Sequence, residues 1–176
     1  MIRVRGLSHE KRSSAMNQFN TFVRLWAVAG GAIMLLIVAV TAVNVGAFAL
    51  DVALRSFGWR IPALPGYEDF VRLAIGPALL MLFPYCQLQR GHIAADFFTA
   101  RLSSSVRRGL DLFWAWITAA LAVFLGYSML LGMWETYDDN ALSQILGWRQ
   151  WPFYLPAVIS LFLWPAAALR SYQNSN

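Results

Sequence analysis

Hydrophobic and polar positions divide the chain into four long apolar stretches separated by polar connections. Asp, Glu, Lys, Arg and His are absent from all four, which are Leu25–Leu50, Leu73–Leu88, Leu112–Trp134 and Pro152–Leu169, and together these make up roughly half of the 176 residues. About 20 apolar residues in a helix cross the ~30 Å hydrocarbon core of a bilayer. The pattern therefore predicts an all-α membrane protein with four transmembrane helices, built as one membrane domain over residues 1–176. The predicted spans are about 25–50, 70–89, 110–134 and 152–169.

The second span contains two prolines. Pro77 and Pro84 are seven residues apart and lie on nearly the same helix face, and each removes a backbone donor. A carbonyl freed in this way needs a new partner in lipid. We therefore expect a bent helix that packs against other helices along this face.

Composition agrees with a membrane protein and argues against interior chemistry. Hydrophobic residues make up 59% of the chain and charged residues only 13%, far from the usual soluble composition. Membrane enzymes and pumps place ionisable groups within the bilayer, and the apolar stretches have none. Both histidines lie outside them, and the single Cys86 excludes an internal dithiol. The sequence therefore predicts that the chain is not an enzyme and has no catalytic residues or metal site.

The deepest polar side chains are few and uncharged. Asn44 and Thr41 lie on the first span and Ser128 on the third. Such residues usually hydrogen-bond a neighbouring helix or a backbone carbonyl. We predict that role for them rather than substrate binding.

Positive charge predicts the orientation. Ten of the 14 Lys and Arg residues precede the first span, flank the second connection or follow the fourth span, whereas Arg55, Arg60 and Arg149 lie on the other side. By the positive-inside rule, both termini and the middle connection face the cytoplasm. The net charge of +5 is therefore an orientation signal and does not indicate nucleic-acid binding.

The middle connection carries a second amphipathic pattern. Arg90 and Gly91 end the second span, and the apolar residues of the segment Ile93–Leu102 favour one side of a helix. We expect a short helix lying in the cytoplasmic interface. His92 and Asp96 are spaced i, i+4, a pair more typical of a surface hydrogen bond than of a metal or catalytic site.

The start of the second span is polar. Glu68 and Asp69 fall in its first turn, where carboxylates suit the positive end of a helix. Glu68 and Arg72 are also spaced i, i+4 and can form a salt bridge on one face of the helix. A solvated helix start and a docking patch for another protein are both open interpretations.

The last connection carries charges of both signs. Asp138, Asp139 and Asn140 lack the alternating ligand series of a calcium loop. Mixed charge on an outer surface suits electrostatic contact with a partner of modest affinity. The docking candidates are Arg55, Arg60, Asp138, Asp139 and Arg149, with a solvated loop as the alternative for each.

Several motifs together resemble one family. These are Gly66-Tyr67-Glu68 with Arg72, Arg90-Gly91-His92-Ile93 with Asp96, Arg107 before the third span, and Trp151-Pro152-Phe153-Tyr154-Leu155-Pro156 at the start of the fourth. Their order, the length and the four spans resemble the small membrane subunit (Q-type, four-helix) of tripartite ATP-independent periplasmic (TRAP) transporters. The prolines of the second span depart from the smoother helix common in that family.

The resemblance implies a scaffold subunit of a sodium-coupled secondary importer in the bacterial inner membrane. A periplasmic binding protein would capture organic acids or related solutes, and a large multi-span subunit, present at about 1:1, would use the sodium gradient. The small subunit would brace the large one and help to dock the binding protein, with no cofactor of its own. A structural phospholipid is left open as a ligand.

The same resemblance assigns roles to residues. Subunit or lipid-headgroup contacts are expected at Glu68, Arg72, Arg90, His92, Asp96 and Arg107. Interfacial aromatic anchors are expected at Trp26, Trp148, Trp151 and Tyr154. No substrate contact is expected in this chain.

Two alternatives from other classes stay open. One is a small interfacial membrane enzyme, which would have to use His92, Asp96, Glu68 or Tyr137. The other is a stand-alone four-helix membrane protein that assembles with itself, since the pairs Gly30-Gly31 and Gly126 with Gly132 permit close helix contact.

Overall fold

The structure is a computed structural model that describes residues 3–89 and 104–173, and its regular elements in those ranges are helices. The helices are α1 Arg3–Leu54, α2 Tyr67–Leu88, α3 Ser104–Asp138 and α4 Trp151–Gln173. A short 3₁₀ turn at Arg55–Phe57 follows α1. Each of the four helices contains a stretch long and apolar enough to cross a membrane. The prediction of four long apolar helices is thus confirmed.

Helix α1 is much longer than the span predicted inside it. It contains 52 residues, which at 1.5 Å per residue is about 78 Å, against ~30 Å of hydrocarbon. The polar segment before Arg24 continues the helix because no proline interrupts it. Helix α1 therefore extends beyond the apolar layer or crosses it at a strong tilt.

The helices pack as an open row rather than as a closed bundle. Helix α1 packs on α2, α2 on α4, and α4 on α3. Within the described ranges, α1 and α3 form no packed pair with each other. The two central helices therefore join two hairpins, α1/α2 and α3/α4, and the end helices of the row keep wide apolar faces. In the most apolar windows, 33% of the α4 residues are buried but only 11% of the α1 residues.

Small residues set the distance between neighbouring helices. A Cβ added at Gly30 would lie 2.7 Å from Cβ of Met81 and 2.9 Å from the carbonyl oxygen of Ala78. On the other hairpin, Gly126 faces Leu161 of α4. Gly30 and Gly126 thus serve packing within the chain, whereas nothing lies within 4 Å of a Cβ added at Gly31.

Two polar or aromatic contacts join α1 directly to α4 across the row. The indole N–H of Trp26 donates to Oγ of Ser160 at 2.9 Å, joining α1 to α4. The guanidinium of Arg170 lies 4.4 Å from the ring centre of Phe19, a cation–π contact. Both contacts therefore link the α1/α2 hairpin to the α3/α4 hairpin.

The prolines of the spans lie inside continuous helices. Helix α2 continues through Pro77 and Pro84, and α4 continues through Pro156 and Pro165. Pro84 is fully buried, which agrees with the expected packing of this part of α2 against other helices. The hydroxyl of Ser160 donates to the carbonyl of Pro156 at 2.6 Å, so it provides a polar contact within α4.

Adjacent glycines provide a matched test of this packing. We expect Gly30→Ala to destabilise the fold by about 1–3 kcal/mol, because its Cβ would overlap backbone and side-chain atoms of α2. Gly31→Ala should be neutral or slightly stabilising, because nothing lies within 4 Å of the added Cβ. Thermal unfolding of the two purified variants in one detergent measures the difference. Equal melting temperatures would contradict the close α1–α2 contact.

Candidate functional site

Two connections come together at one end of the row, and we call them the paired connections: residues 55–66 between α1 and α2, and residues 139–150 between α3 and α4. Side chains from the helices hold both. The buried polar groups that do so are Asn44, Asp51 and Asp69, and Ser143 is a buried polar residue within the second connection itself. Their partners are mainly backbone N–H groups that no helix or strand satisfies.

The first connection runs back along the end of α1. The carboxylate of Asp51 accepts the N–H of Ile61 at 3.0 Å and the guanidinium of Arg55 at 2.9 Å. Farther back, Oδ1 of Asn44 accepts the N–H of Leu64 at 2.9 Å. Because Asn44 is ten residues before the end of α1, the helix projects about 15 Å past this point.

Asn44 and Ser128 have the structural roles that their chemistry suggests. Asn44 binds the backbone of the first connection, and the hydroxyl of Ser128 donates to the carbonyl of Phe124, one turn earlier, at 3.0 Å. Neither bond leaves these groups directed at a solute site. Ser128 thus bonds a backbone carbonyl as predicted, whereas the partner of Asn44 is a backbone N–H of a connection rather than a neighbouring helix.

The second connection is a small hairpin. The N–H of Ser143 donates to the carbonyl of Trp148 at 2.8 Å, and the N–H of Trp148 returns to the hydroxyl of Ser143 at 2.9 Å. Before it, Asn140 adopts a left-handed backbone with φ 48°, which ends α3. The acidic stretch at 138–140 is therefore the C-terminal end of a helix followed by its cap.

Asp69, in the first turn of α2, binds the tip of this hairpin. Its Oδ2 accepts the N–H of Ile145 at 2.7 Å and that of Leu146 at 2.9 Å. The residue is only 6% exposed. Hydrogen bonds to an ionised acceptor are roughly twice as strong as neutral ones. Two such bonds therefore fix the tip of the 139–150 connection on the first turn of α2.

An apolar contact supports the same junction. Gly66 begins α2 with φ +79°, a left-handed value that favours glycine. A Cβ there would lie 2.5 Å from Cγ of Leu146. The side chain of Leu146 thus covers the start of α2 and links the two hairpins beside the Asp69 bonds.

An open apolar groove of about 280 Å³ lies next to this junction. It is formed by α1, the end of the first connection, the start of α2 and the tip of the second connection. Its lining residues are Leu36, Val40, Leu64, Pro65, Gly66, Tyr67, Phe70 and Leu146. With this lining the groove suits an apolar group and offers little for a charged solute.

The salt bridge that the spacing of Glu68 and Arg72 permits does not form in the structure. Both side chains are exposed, and among the described residues the ion pair that forms is Asp51–Arg55, with N and O 2.9 Å apart. Exposed i, i+4 pairs gain only about 0.3–0.5 kcal/mol, too little to hold two long side chains together. Of the two carboxylates in the first turn, Asp69 makes the structural contacts.

The docking candidates gather on the paired connections. Arg60, Asp138, Asp139 and Arg149 are exposed, and Arg55 is exposed although it pairs with Asp51. Arg149 also forms an isolated antiparallel bridge with Leu142 in the second connection. The structure thus places the candidates of both signs at one end of the molecule, and their docking role stays a prediction.

Several other predicted residues lie outside the described residues. They are Arg90, His92 and Asp96, together with the interfacial segment Ile93–Leu102. Arg107 lies near the start of α3. Interface contacts at all of these positions stay predictions, as they do at Glu68 and Arg72.

The aromatic anchors divide into internal and surface positions. Trp26 is half-buried and uses its N–H inside the chain on Ser160. Trp148 is 42% exposed and stacks on Phe153, with ring centres 6.2 Å apart. Anchoring at a defined depth stays a prediction, and for Trp26 the internal bond is an additional role.

The other two anchors lie at the start of α4. The ring of Trp151 packs edge-on against Tyr137, with centres 5.7 Å apart, and its buried N–H has no hydrogen-bond partner within the described part of the chain. Tyr154 packs on α3, where its ring lies 3.5 Å from a Cβ added at Gly132. These rings therefore help to join α3 to α4.

Sequence reasoning missed the roles of Asp51 and Asp69. In the sequence both are simply carboxylates near helix ends. Their partners are backbone N–H groups, in the case of Asp69 more than 70 residues away. Because nearly every residue carries such a donor, the partner segment shows no residue type that would reveal the pairing.

Comparison with known proteins identifies a family. The model of the family described as "Tripartite ATP-independent periplasmic transporters, DctQ component" matches residues 44–174. No curated protein and no solved structure matches the chain. The matched range includes α2, α3, α4, the end of α1 and both of the paired connections.

The bonds of Asp69 predict a graded effect of substitution. Asp69→Ala removes the ionised acceptor of two N–H groups and should destabilise the fold by about 2–4 kcal/mol. Asp69→Asn should cost less, because both N–H groups use one oxygen and the amide keeps an oxygen. Glu68→Ala, one residue away and exposed, is the control and should change little. Melting temperatures of the three variants in detergent would contradict this account if Asp69→Ala and Glu68→Ala behaved alike.

Proposed function

The chain belongs to the DctQ component family of TRAP transporters, and on that basis we propose that it is the fixed scaffold of a sodium-coupled importer of organic acids or related solutes. Membership makes it a small membrane component of a transporter rather than an enzyme. It also places the chain in complexes with a large membrane subunit and a binding protein. The scaffold role, the coupling ion and the solute class are our proposals.

The open row of helices is the observation that carries the scaffold proposal. Helices α1 and α3 flank the row and expose large apolar side chains along most of their lengths, including Leu35, Val43, Phe113 and Phe124. A bundle that enclosed its own pathway would bury polar groups at its centre. Here the buried polar groups cluster mainly at the paired connections. The faces are therefore suited to lipid and to the large subunit, while solute and sodium would be handled by that subunit.

Rigidity is the second requirement of a scaffold. The paired connections are fixed by side chains on two different helices, and the opposite part of the row is tied by Trp26 and Arg170. Such contacts resist relative movement of the two hairpins. This supports a subunit that stays in place while a partner moves.

The proposed membrane comes from the family, and the proposed orientation comes from charge. We propose that the chain lies in the inner membrane with both termini in the cytoplasm. The paired connections would then face the periplasm, where the binding protein is found. Their exposed charges of both signs, among them Arg60 and Arg149, would guide a contact of modest affinity.

Isolation of the tagged chain from its native membrane tests the scaffold proposal. In a gentle detergent we expect a large multi-span protein to co-purify at about 1:1, identified by mass spectrometry and quantified by stained bands. A chain recovered alone, as a monomer or a homo-oligomer, would contradict the proposal.

Variants then test the proposed contacts. Glu68→Ala and His92→Ala should lower recovery of the large protein several-fold while the chain still inserts, because both lie at the predicted surface of the membrane. Glu135→Ala is a matched control, since this carboxylate is exposed near the end of α3 and belongs to none of the proposed contacts. Unchanged recovery for both test variants would remove these positions from the interface.

Thiol labelling tests the orientation. In a Cys86→Ser background, Arg149→Cys should react with a membrane-impermeant maleimide added outside spheroplasts. Ser8→Cys should react only after the membrane is opened, because positive charge keeps the N-terminal segment inside. The reverse pattern would show that the chain is inserted the other way round.

A further inference from the structure

We propose that Asp69 is a positioning residue that holds the 139–150 connection in the one shape on which the binding protein docks. The inference rests on the proposed function and deepens it, because it identifies the group that presets the docking surface. Asp69 itself does not touch the partner in this proposal. It acts through the backbone of the second connection.

Two hydrogen bonds to Asp69 fix the tip of the second connection. Both N–H groups at the tip, those of Ile145 and Leu146, converge on Oδ2 of Asp69 at 2.7 and 2.9 Å. The carboxylate is nearly inaccessible, so it occupies the inside of the turn rather than its surface. Two adjacent donors that share one acceptor permit little freedom of the peptide between them. Without the acceptor, the tip would have to turn these donors towards water.

The tip of the second connection makes contacts with the α1/α2 hairpin. The base is closed within the connection itself, because the N–H of Gln150 donates to the carbonyl of Ala141 at 3.1 Å. The tip, by contrast, is held by Asp69 and by the contact of Leu146 with Gly66, and both partners belong to the other helical hairpin. Loss of Asp69 should therefore change where the tip lies while the base stays formed.

The position of the tip affects the exposed charges of the paired connections. Arg149 lies on the part of the second connection that returns from the tip, where it forms an isolated bridge with Leu142. Its side chain is exposed. Arg60 is exposed on the other connection. The relative position of these two cations on different hairpins depends on the junction at Asp69. A surface that is already arranged before binding loses less conformational entropy on association.

The test uses the complete complex in liposomes, with the large subunit present. Uptake of the solute carried by the binding protein is measured as a function of binding-protein concentration. For Asp69→Ala we expect the half-saturating concentration of binding protein to rise about fivefold or more. The maximal rate and the recovery of the large subunit should be unchanged. Asp69→Asn should give a smaller rise, because its amide keeps one oxygen for the two donors. Glu135→Gln, which removes an exposed carboxylate near the same connection, should behave like the wild type.

Hydrogen exchange in the same complexes supplies an independent readout. Peptides covering 143–148 should exchange faster in Asp69→Ala than in the wild type or in Glu135→Gln. An unchanged half-saturating concentration in Asp69→Ala would overturn the proposal, whether or not exchange changes. A fall in maximal rate together with loss of the large subunit would also overturn it, because Asp69 would then serve folding alone. Failure of the proposed function is seen separately, as absence of the large subunit or of uptake with the wild-type chain.

Discussion

The bilayer interior provides no water to bind backbone N–H and C=O groups, and this constraint governs the whole structure. Within the spans the helices satisfy these groups internally. Where the chain turns, helices cannot do so, and side chains take over. Asn44, Asp51 and Asp69 each accept backbone N–H groups of a connection. Lipid imposes the need for internal partners in the spans, and burial within the protein imposes it at Asn44, Asp51 and Asp69.

A second consequence is the openness of the row. In lipid, apolar surface can remain exposed to acyl chains without the cost that it has in water, so α1 and α3 need no neighbour on their outer sides. Association of helices then depends on close packing and on polar contacts. Gly30 provides the first kind of contact and the Trp26–Ser160 bond the second. A chain built in this way offers broad faces to partners while its own hairpins stay fixed.

The paired connections combine structural and functional demands at one end of the molecule. Their inner sides contact the buried acceptors Asn44, Asp51 and Asp69, whereas their exposed sides carry charges of both signs. The division explains why adjacent carboxylates in the first turn of α2 differ. Glu68 points outward and is available to a partner, while Asp69 is committed to the neighbouring connection.

Sequence alone determined the class of protein, the four long apolar helices and the family, because lipid selects apolar length and because the family motifs are local in the chain. It also identified Asn44 as a structural polar residue, but it considered Gly30 only as a contact between copies of the chain. It did not predict the helical extent of α1, since polar residues before Arg24 are compatible with either an arm or a helix. Only the tertiary structure decided the order of the helices in the row, the absence of a Glu68–Arg72 pair among the described residues and the role of Asp69. These depend on which distant backbone groups come together, and a backbone donor is the same in every residue that has one.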